Sequence, residues 1–334
     1  MAEIESFLIM SIIKQVLNFK IEYQYNVAIK HLAWMNSIFV DLTKFIFVVT
    51  IVFSNSAFAN NVVLNKSLSK LDPRYQYTYN LMSLILEVTP EFGGAEVETS
   101  AFYMTRNRAL IELKSGELIN VMAEAPKQQW DENLIVIPIP IRKGIQGLRI
   151  FIIEKENKTL MQNIDTLAEL MNLPSGTGAH WSTRTAMENA GFDMVTGSNY
   201  DGLFGMLSKG RFLTFGRGIN EAYKEVQNQY NKYPNFTVDK SVLLHIPLAT
   251  YFYVSPKTPE IAERIKVGLL RLIENGTFDL FFYKNHCKDL LKAQINKRKV
   301  FRIPNSLVSK ERMLSLVDDD YLIDAKTDFS TTCQ

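Results

Sequence analysis

The stretch "GSNYDGLFGMLSKGRFLTFGRGINE", residues 197–221, reads as a helix over "SNYDGLFGMLSKG", a glycine break and a short buried strand over "RFLTFG". In open α/β sheets ligands gather beyond the carboxyl ends of strands, where helix N-termini and free backbone amides converge. Arg217 and Glu221 stand just past that strand. An arginine offers a planar fork to a carboxylate or phosphate, and a glutamate can take an ammonium or hold the arginine in place. The competing reading is a surface ion pair at i, i+4, which contributes little.

The same alternation continues on both sides. Upstream, "RYQYTYNLMSLILEV" carries Tyr77, Leu81, Leu84, Ile85 and Val88 at the spacing of an amphipathic helix. A short strand over "AEVETSAF" follows, then a helix over "TRNRALIELKSGE" closed by Gly116. "LINVM" and "NLIVIPIPI" are short runs with β-branched residues, the pattern of strands buried on both faces. "GLRIFIIEKENK" is a further strand ending in charge. The next block predicts one helix over "TLMQNIDTLAELMN", a glycine-rich loop over "LPSGTGAHW", a helix over "STRTAMENAGF" and a strand over "FDMVTG". Downstream, "SVLLHIPLATYFYVSPKTP" predicts a strand pair around Pro247. A strongly amphipathic helix capped near Gly276 then leads into another, and only the last dozen residues look loose. Alternating helix and strand predicts an α/β fold built from two units, with no internal repeat.

Composition narrows the function. The 334 residues are 47% hydrophobic and 22% charged, which excludes disorder and suits one large or two medium domains. With 37 Lys and Arg against 35 Asp and Glu, no basic surplus points to nucleic acid. Cys287 and Cys333 form either one disulfide or two unpaired thiols, and they build no metal site. From Met35, "MNSIFVDLTKFIFVVTIVFSNSAFA" has the layout of a secretory signal peptide, with Lys44, an apolar run and Ala57-Phe58-Ala59 at the expected cut after Ala59. Its apolar run falls short of the about 20 residues of a comfortable membrane span. An uncleaved anchor is the alternative. A signal peptide starting at Met35 makes residues 1–34 an expected upstream extension, with Met35 as the start.

Other candidate contacts are scattered. "SGTGAHWSTRT" joins a glycine loop to a helix with Ser182 or Thr183 near its cap, so backbone amides there can approach an anion while Trp181 supplies a flat wall. It lacks nucleotide-binding spacing, so no cofactor is expected. His180 is either a polar contact or a cap of its own loop. Arg106 and Arg108 open a helix whose dipole opposes cations, which calls for an anionic ligand or for acidic partners on a neighbouring loop. Arg149 enters a strand that otherwise looks buried, and a buried charge must be paired. Trp130 and Tyr200 complete the candidate binding set. No histidine sits in metal spacing and no nucleophile elbow is present, so no catalytic or metal residue is assigned.

In their order along the chain, "LDPRYQYTYNLMSLILE", "MTRNRALIELKSGE", "IPIPIRKGIQGLRIFII", "GTGAHWSTRTAMENAGF", "GSNYDGLFGMLSKGRF", "FGRGINEA" and "YFYVSPKTPEIAERIKVGLLRLIENGTFDLFF" resemble a type II periplasmic solute-binding protein of the amino-acid type that serves ABC transporters. The resemblance implies two lobes joined by a hinge, closing on a small ligand. It puts residues 60–152 and 249–330 in lobe 1 and residues 153–248 in lobe 2. Arg217 then stands where amino-acid binders carry an aspartate for the ligand ammonium, and "PKQQWDENLIVIPIPI" offers Trp130 but no first-lobe arginine for the α-carboxylate. An arginine-rich cleft of this kind favours an anionic or polyhydroxylated solute. The resemblance implies a monomeric, non-enzymatic, periplasmic binding protein for a membrane ABC permease. A sensor or adaptor for a membrane signalling partner is the alternative, and an enzyme on the same fold the third reading.

Overall fold

The computed structural model describes residues 61–66, 74–305 and 321–333, together with Lys20. The expected signal peptide, its expected cut after Ala59 and all of the expected upstream extension except Lys20 lie outside the described residues. Ala59–Gln334 form one compact unit. Its short apolar runs build two sheets. In the first, β1 (Val62–Leu64), β2 (Val97–Thr99), β3 (Val121–Glu124), β4 (Ile135–Ile137) and β11 (Tyr251–Val254) run in the order β2-β1-β3-β11-β4. β1 is parallel to β2 and β3, and β11 returns antiparallel between β3 and β4. The second has the order β12 (Lys299–Arg302), β10 (Val242–His245), β5 (Leu148–Glu154), β8 (Thr214–Gly218), β6 (Ser175–Gly178), β7 (Met194–Gly197), with β9 (Phe236–Val238) also on β5. The mixed α/β architecture expected from the alternation is therefore present.

Helices cover the sheets with the faces their spacing predicts. α1 (Arg74–Glu87) buries Tyr77, Leu81 and Ile85. α2 (Arg106–Ser115) is capped at its start by the Thr105 side chain and at its end by Gly116 in the left-handed region. α9 (Pro259–Glu274) buries Ile261, Ile265, Leu269 and Leu272, side chains worth about 1.5–3 kcal/mol each on full burial. Arg264, buried on the same face, donates from Nε to Thr89 Oγ1 at 2.9 Å and from Nη2 to the Leu86 carbonyl at 3.1 Å, adding a charged donor to a carbonyl at the end of α1 that also accepts from Thr89. α10 (Thr277–Ala293) follows Gly276, as the sequence predicts.

Four readings need correction. The single helix expected over "TLMQNIDTLAELMN" is two, α4 (Lys158–Gln162) and α5 (Leu167–Met171), because Thr166 and Glu169 form a capping box that starts a new helix. "SGTG" is not a loop but β6, paired with β7 and β8. The last dozen residues are not all loose: Ala325 and Phe329 are buried and Cys333 is bonded to Cys287. Residues 148–152 and 299–302, counted above with the first lobe, pair in the second sheet as β5 and β12. Among the described residues, no helix is long and apolar enough to cross a membrane.

Candidate functional site

A cavity of about 310 Å³ lies between strand ends of the two sheets, with Leu64, Thr99 and Glu124 on one side and Arg149 and Arg217 on the other. Its second-sheet wall is built from β8. Alternation puts Phe215 and Arg217 on one face of that strand. Trp181, directly before α6 (Ser182–Asn189), stacks on Phe215 with centroids 6.1 Å apart, and the Arg217 guanidinium lies 4.4 Å from the Trp181 ring centroid.

Arg217 is only 1% exposed and belongs to β8 itself, rather than to the turn after it. It is clamped by Glu225 of α8 (Ala222–Gln229), with Nε to Oε2 at 2.7 Å and Nη2 to Oε1 at 2.6 Å. Tyr200, the first residue of α7 (Tyr200–Ser208), donates to Glu225 Oε1 at 2.8 Å. Glu221 Oε2 accepts the Gly218 amide at 2.9 Å and lies 3.3 Å from Arg217 Nη2 and 3.6 Å from Arg149 Nη1. Gly218 is what admits this crowding, since a Cβ there would lie 2.8 Å from Asn220 Oδ1 and 3.2 Å from Glu221 Oε2. Burial by itself lowers the Arg217 pKa, but Glu221 and Glu225 outweigh it and the net shift is upward, so the guanidinium stays charged.

The opposite wall brings Glu124 and Arg106 together at 2.5 Å. Arg106 Nη1 also donates to the His180 carbonyl at 3.2 Å, and Lys127 Nζ donates to the same oxygen at 2.9 Å. These bonds join the first-sheet side of the cavity to the segment between β6 and α6. Trp181 sits closely over that segment: a Cβ on Gly178 would lie 2.5 Å from its ring. Arg142, buried on the chain between β4 and β5, donates to Thr78 Oγ1 at 3.2 Å and lies 4.6 Å from the Tyr77 ring centroid.

At the N-terminus of α6, Ser182 and Thr183 are buried and line the cavity. Trp181 supplies no side-chain cap there, and Ser182 Oγ has no hydrogen-bond partner among the described residues. A buried hydroxyl without a partner beside a helix N-terminus is suited to an incoming anionic group.

Of the sequence candidates, Arg106, Arg149, Trp181, Arg217 and Glu221 meet around this cavity. Tyr200 stands behind it, acting on Arg217 through Glu225. His180 contributes its carbonyl and its residue is exposed. Arg108 is on the solvent side of α2, 3.4 Å from Glu112 and over the Phe102 ring. Trp130 is core, edge-on to Tyr253 at 5.4 Å. Arg108, Trp130 and the His180 side chain are therefore not part of the cavity. Sequence reading missed Glu124, Arg142 and Gln146, and missed Tyr75, Gln76, Thr78 and Tyr79 of α1. The aromatic repeat in "RYQYTYN" was the available signal, since a purely packing helix does not need tyrosine on several faces. Among the described residues no group of His, Cys, Asp or Glu is placed to hold a metal ion.

No family model and no curated protein matches the chain. Among solved structures, it is similar to an ancestral arginine-binding protein bound to arginine, at 16% identity over 68% of this chain and 98% of that one, with a TM-score of 0.52. It is also similar to an ancestral arginine-binding protein bound to glutamine, at 15% identity over 68% and 97% of the two chains, with a TM-score of 0.50. The fold is that of the type II periplasmic binding proteins. At this identity the likeness carries the fold alone, and the resemblance read from the sequence holds at that level.

Proposed function

We propose that this protein is an extracytoplasmic solute-binding protein that takes a small, carboxylate-bearing zwitterion, an amino acid or close analogue, and serves a membrane transporter. The observation that carries the reading is the cavity's two-sided chemistry. The N-terminus of α6, with the unpartnered Ser182 Oγ, suits a carboxylate, while Glu124 and Glu221, each also paired with an arginine, line the cavity with carboxylate oxygens that can accept from an ammonium or guanidinium. The sequence expectation of an anionic solute rested on unbalanced arginines. Arg217, Arg149 and Arg106 instead come with Glu225, Glu221 and Glu124, so a ligand of net negative charge is not required. The two similar structures, one bound to arginine and one to glutamine, support an amino-acid ligand. The Cys287–Cys333 disulfide supports an oxidising, extracytoplasmic setting.

The test is a thermal-shift screen of the purified protein against L-arginine, L-glutamine, L-glutamate, succinate, glucose and phosphate. A ligand at a hundred times its Kd should add about 2.7 kcal/mol of stability. L-Arginine or L-glutamine should give the largest shift, and Ser182→Ala should weaken that binding about tenfold or more, the value of a hydrogen bond to a charged group. A shift with succinate alone would return the ligand to the anionic class, and silence toward every compound would sink the reading. Recovery of unchanged ligand by mass spectrometry separates binding from turnover.

A further inference from the structure

The chain passes from the first sheet to the second between β4 and β5, residues 138–147, and back between β10 and β11, residues 246–250. The first of these crossovers carries Arg142 and Gln146 into the cavity wall, and Gln146 Oε1 accepts from Thr250 Oγ1 of the second at 2.7 Å. Cavity shape therefore depends on how firmly these two segments are held.

Residues that follow β12 hold both. Asn305 Nδ2 donates to the Pro247 carbonyl at 2.9 Å. Tyr321 Oη donates to the Pro140 carbonyl at 2.9 Å, and the Ile323 amide donates to the Lys143 carbonyl at 2.9 Å. Lys143, next to Arg142, has φ of 46° and so sits in the left-handed region. A side-chain-bearing residue occupies that region at a cost and stays there only when its surroundings fix it. Here the surroundings are Ile323 on its carbonyl, the Tyr321 ring 4.5 Å from Nζ, and Asp279 of α10 at 2.8 Å from Nζ. Residues 321–333 are tied at their far end to α10 by Cys333–Cys287, with Ala325 and Phe329 buried between.

We infer that residues 321–333 form a strap that positions the crossover bearing Arg142 and Gln146, and that the Cys287–Cys333 bond is its clasp, making ligand affinity sensitive to reduction. The inference rests on the reading of the cavity as the ligand site. Reduction by a dithiol breaks the S–S bond; two electrons and two protons pass to Cys287 and Cys333 as thiols, and the dithiol closes to its own disulfide. The strap's end is then held by packing alone. Tyr321 is a positioning residue, since it acts on the cavity through the Pro140–Arg142 turn.

The experiment compares oxidised protein, dithiothreitol-reduced protein, the double variant Cys287→Ser with Cys333→Ser, and Tyr321→Phe. Amide hydrogen exchange over residues 141–147 and affinity for L-arginine and L-glutamine are measured well below each form's melting temperature. The strap predicts faster exchange at Ile145 and Gly147 in all three altered forms, with β8 amides unchanged. It also predicts binding weakened about tenfold, the order of one hydrogen bond to a charged group, and restored on re-oxidation of the reduced wild type. Unchanged exchange over 141–147 once the disulfide is cut overturns the strap, whatever the ligand does. Faster exchange with undiminished affinity overturns its link to the cavity. Faster exchange in a protein that binds neither amino acid in its oxidised form supports the strap and sinks the ligand reading.

Discussion

Arg217 shows how far a single residue could be read. Its place at the end of an apolar strand announces a charge that must be paired, and Glu221 four residues on is the obvious partner. The structure gives the closer pairing to Glu225, eight residues on, because the chain turns through Gly218 and Asn220 before α8 starts and brings that helix's first turn back over the strand. Nothing in the spacing alone separates the two glutamates; the bidentate geometry does. Glu225→Gln should leave the fully buried Arg217 guanidinium without its bidentate partner, with Glu221 at 3.3 Å as its remaining counter-charge, and destabilise the protein by about 3 kcal/mol, the lower end of the cost of breaking a buried pair from one side. Urea unfolding at unchanged m-value measures this. Replacing both partners, Arg217→Met with Glu225→Leu, should recover most of the loss, because the unpaired charge is then absent; a double variant as unstable as the single one would show that the pair is not the origin of the cost.

At the scale of elements, period and caps were legible where a segment decides its own structure, as in α1, α2, α9 and α10. They failed where neighbours decide. "SGTG" has little strand propensity at its two glycines and becomes β6 because β7 and β8 supply partners on both edges, while the missing Cβ atoms of Gly176 and Gly178 make room for Phe212 and Trp181. α10 hides a further element-level property. His286 lies between the Tyr77 and Phe282 rings, at 4.8 and 4.9 Å, and neither ring nitrogen has a hydrogen-bond partner among the described residues. The charged groups facing it are Arg142 from the β4–β5 crossover and Lys224 from α8, the latter 3.3 Å from Asp289 on its own helix. Burial first, then Arg142 and Lys224, hold its pKa well below the ordinary value of 6.5. The folded state thus resists a proton that the unfolded chain accepts. The stability due to neutral His286 is complete above pH 6.5 and is lost progressively as pH falls from there toward the folded-state pKa. His245, also shifted down by burial and Arg302, adds a slope of the same sign. Melting temperatures between pH 7.5 and pH 4.5 should therefore fall more steeply for the wild type than for His286→Phe; parallel curves would mean that His286 does not carry this linkage.

At the scale of the whole molecule, the alternation of helix and strand was legible, and that sufficed for a mixed α/β fold of two sheets. The tie between its C-terminus and the crossovers was not, because Cys287 and Cys333 read as well as two free thiols as one disulfide, and the last dozen residues are polar enough to pass for a tail. Yet the bond spans 46 residues, so it removes many open conformations from the unfolded chain in addition to fastening the strap in the native one. The two effects separate by experiment. Loss of the unfolded-state restraint is global, so the double variant Cys287→Ser with Cys333→Ser should unfold with about 2–4 kcal/mol less stability, and all slowly exchanging core amides that open by global unfolding should lose protection together. Loss of the strap is local and appears in the 141–147 amides under conditions where the core stays closed. A destabilisation of several kcal/mol with 141–147 no faster than the core would assign the disulfide wholly to the unfolded state. If those amides alone respond and the denaturation midpoint hardly moves, the native contact is what the bond maintains, and the crossover that carries Arg142 is held in place by residues 321–333.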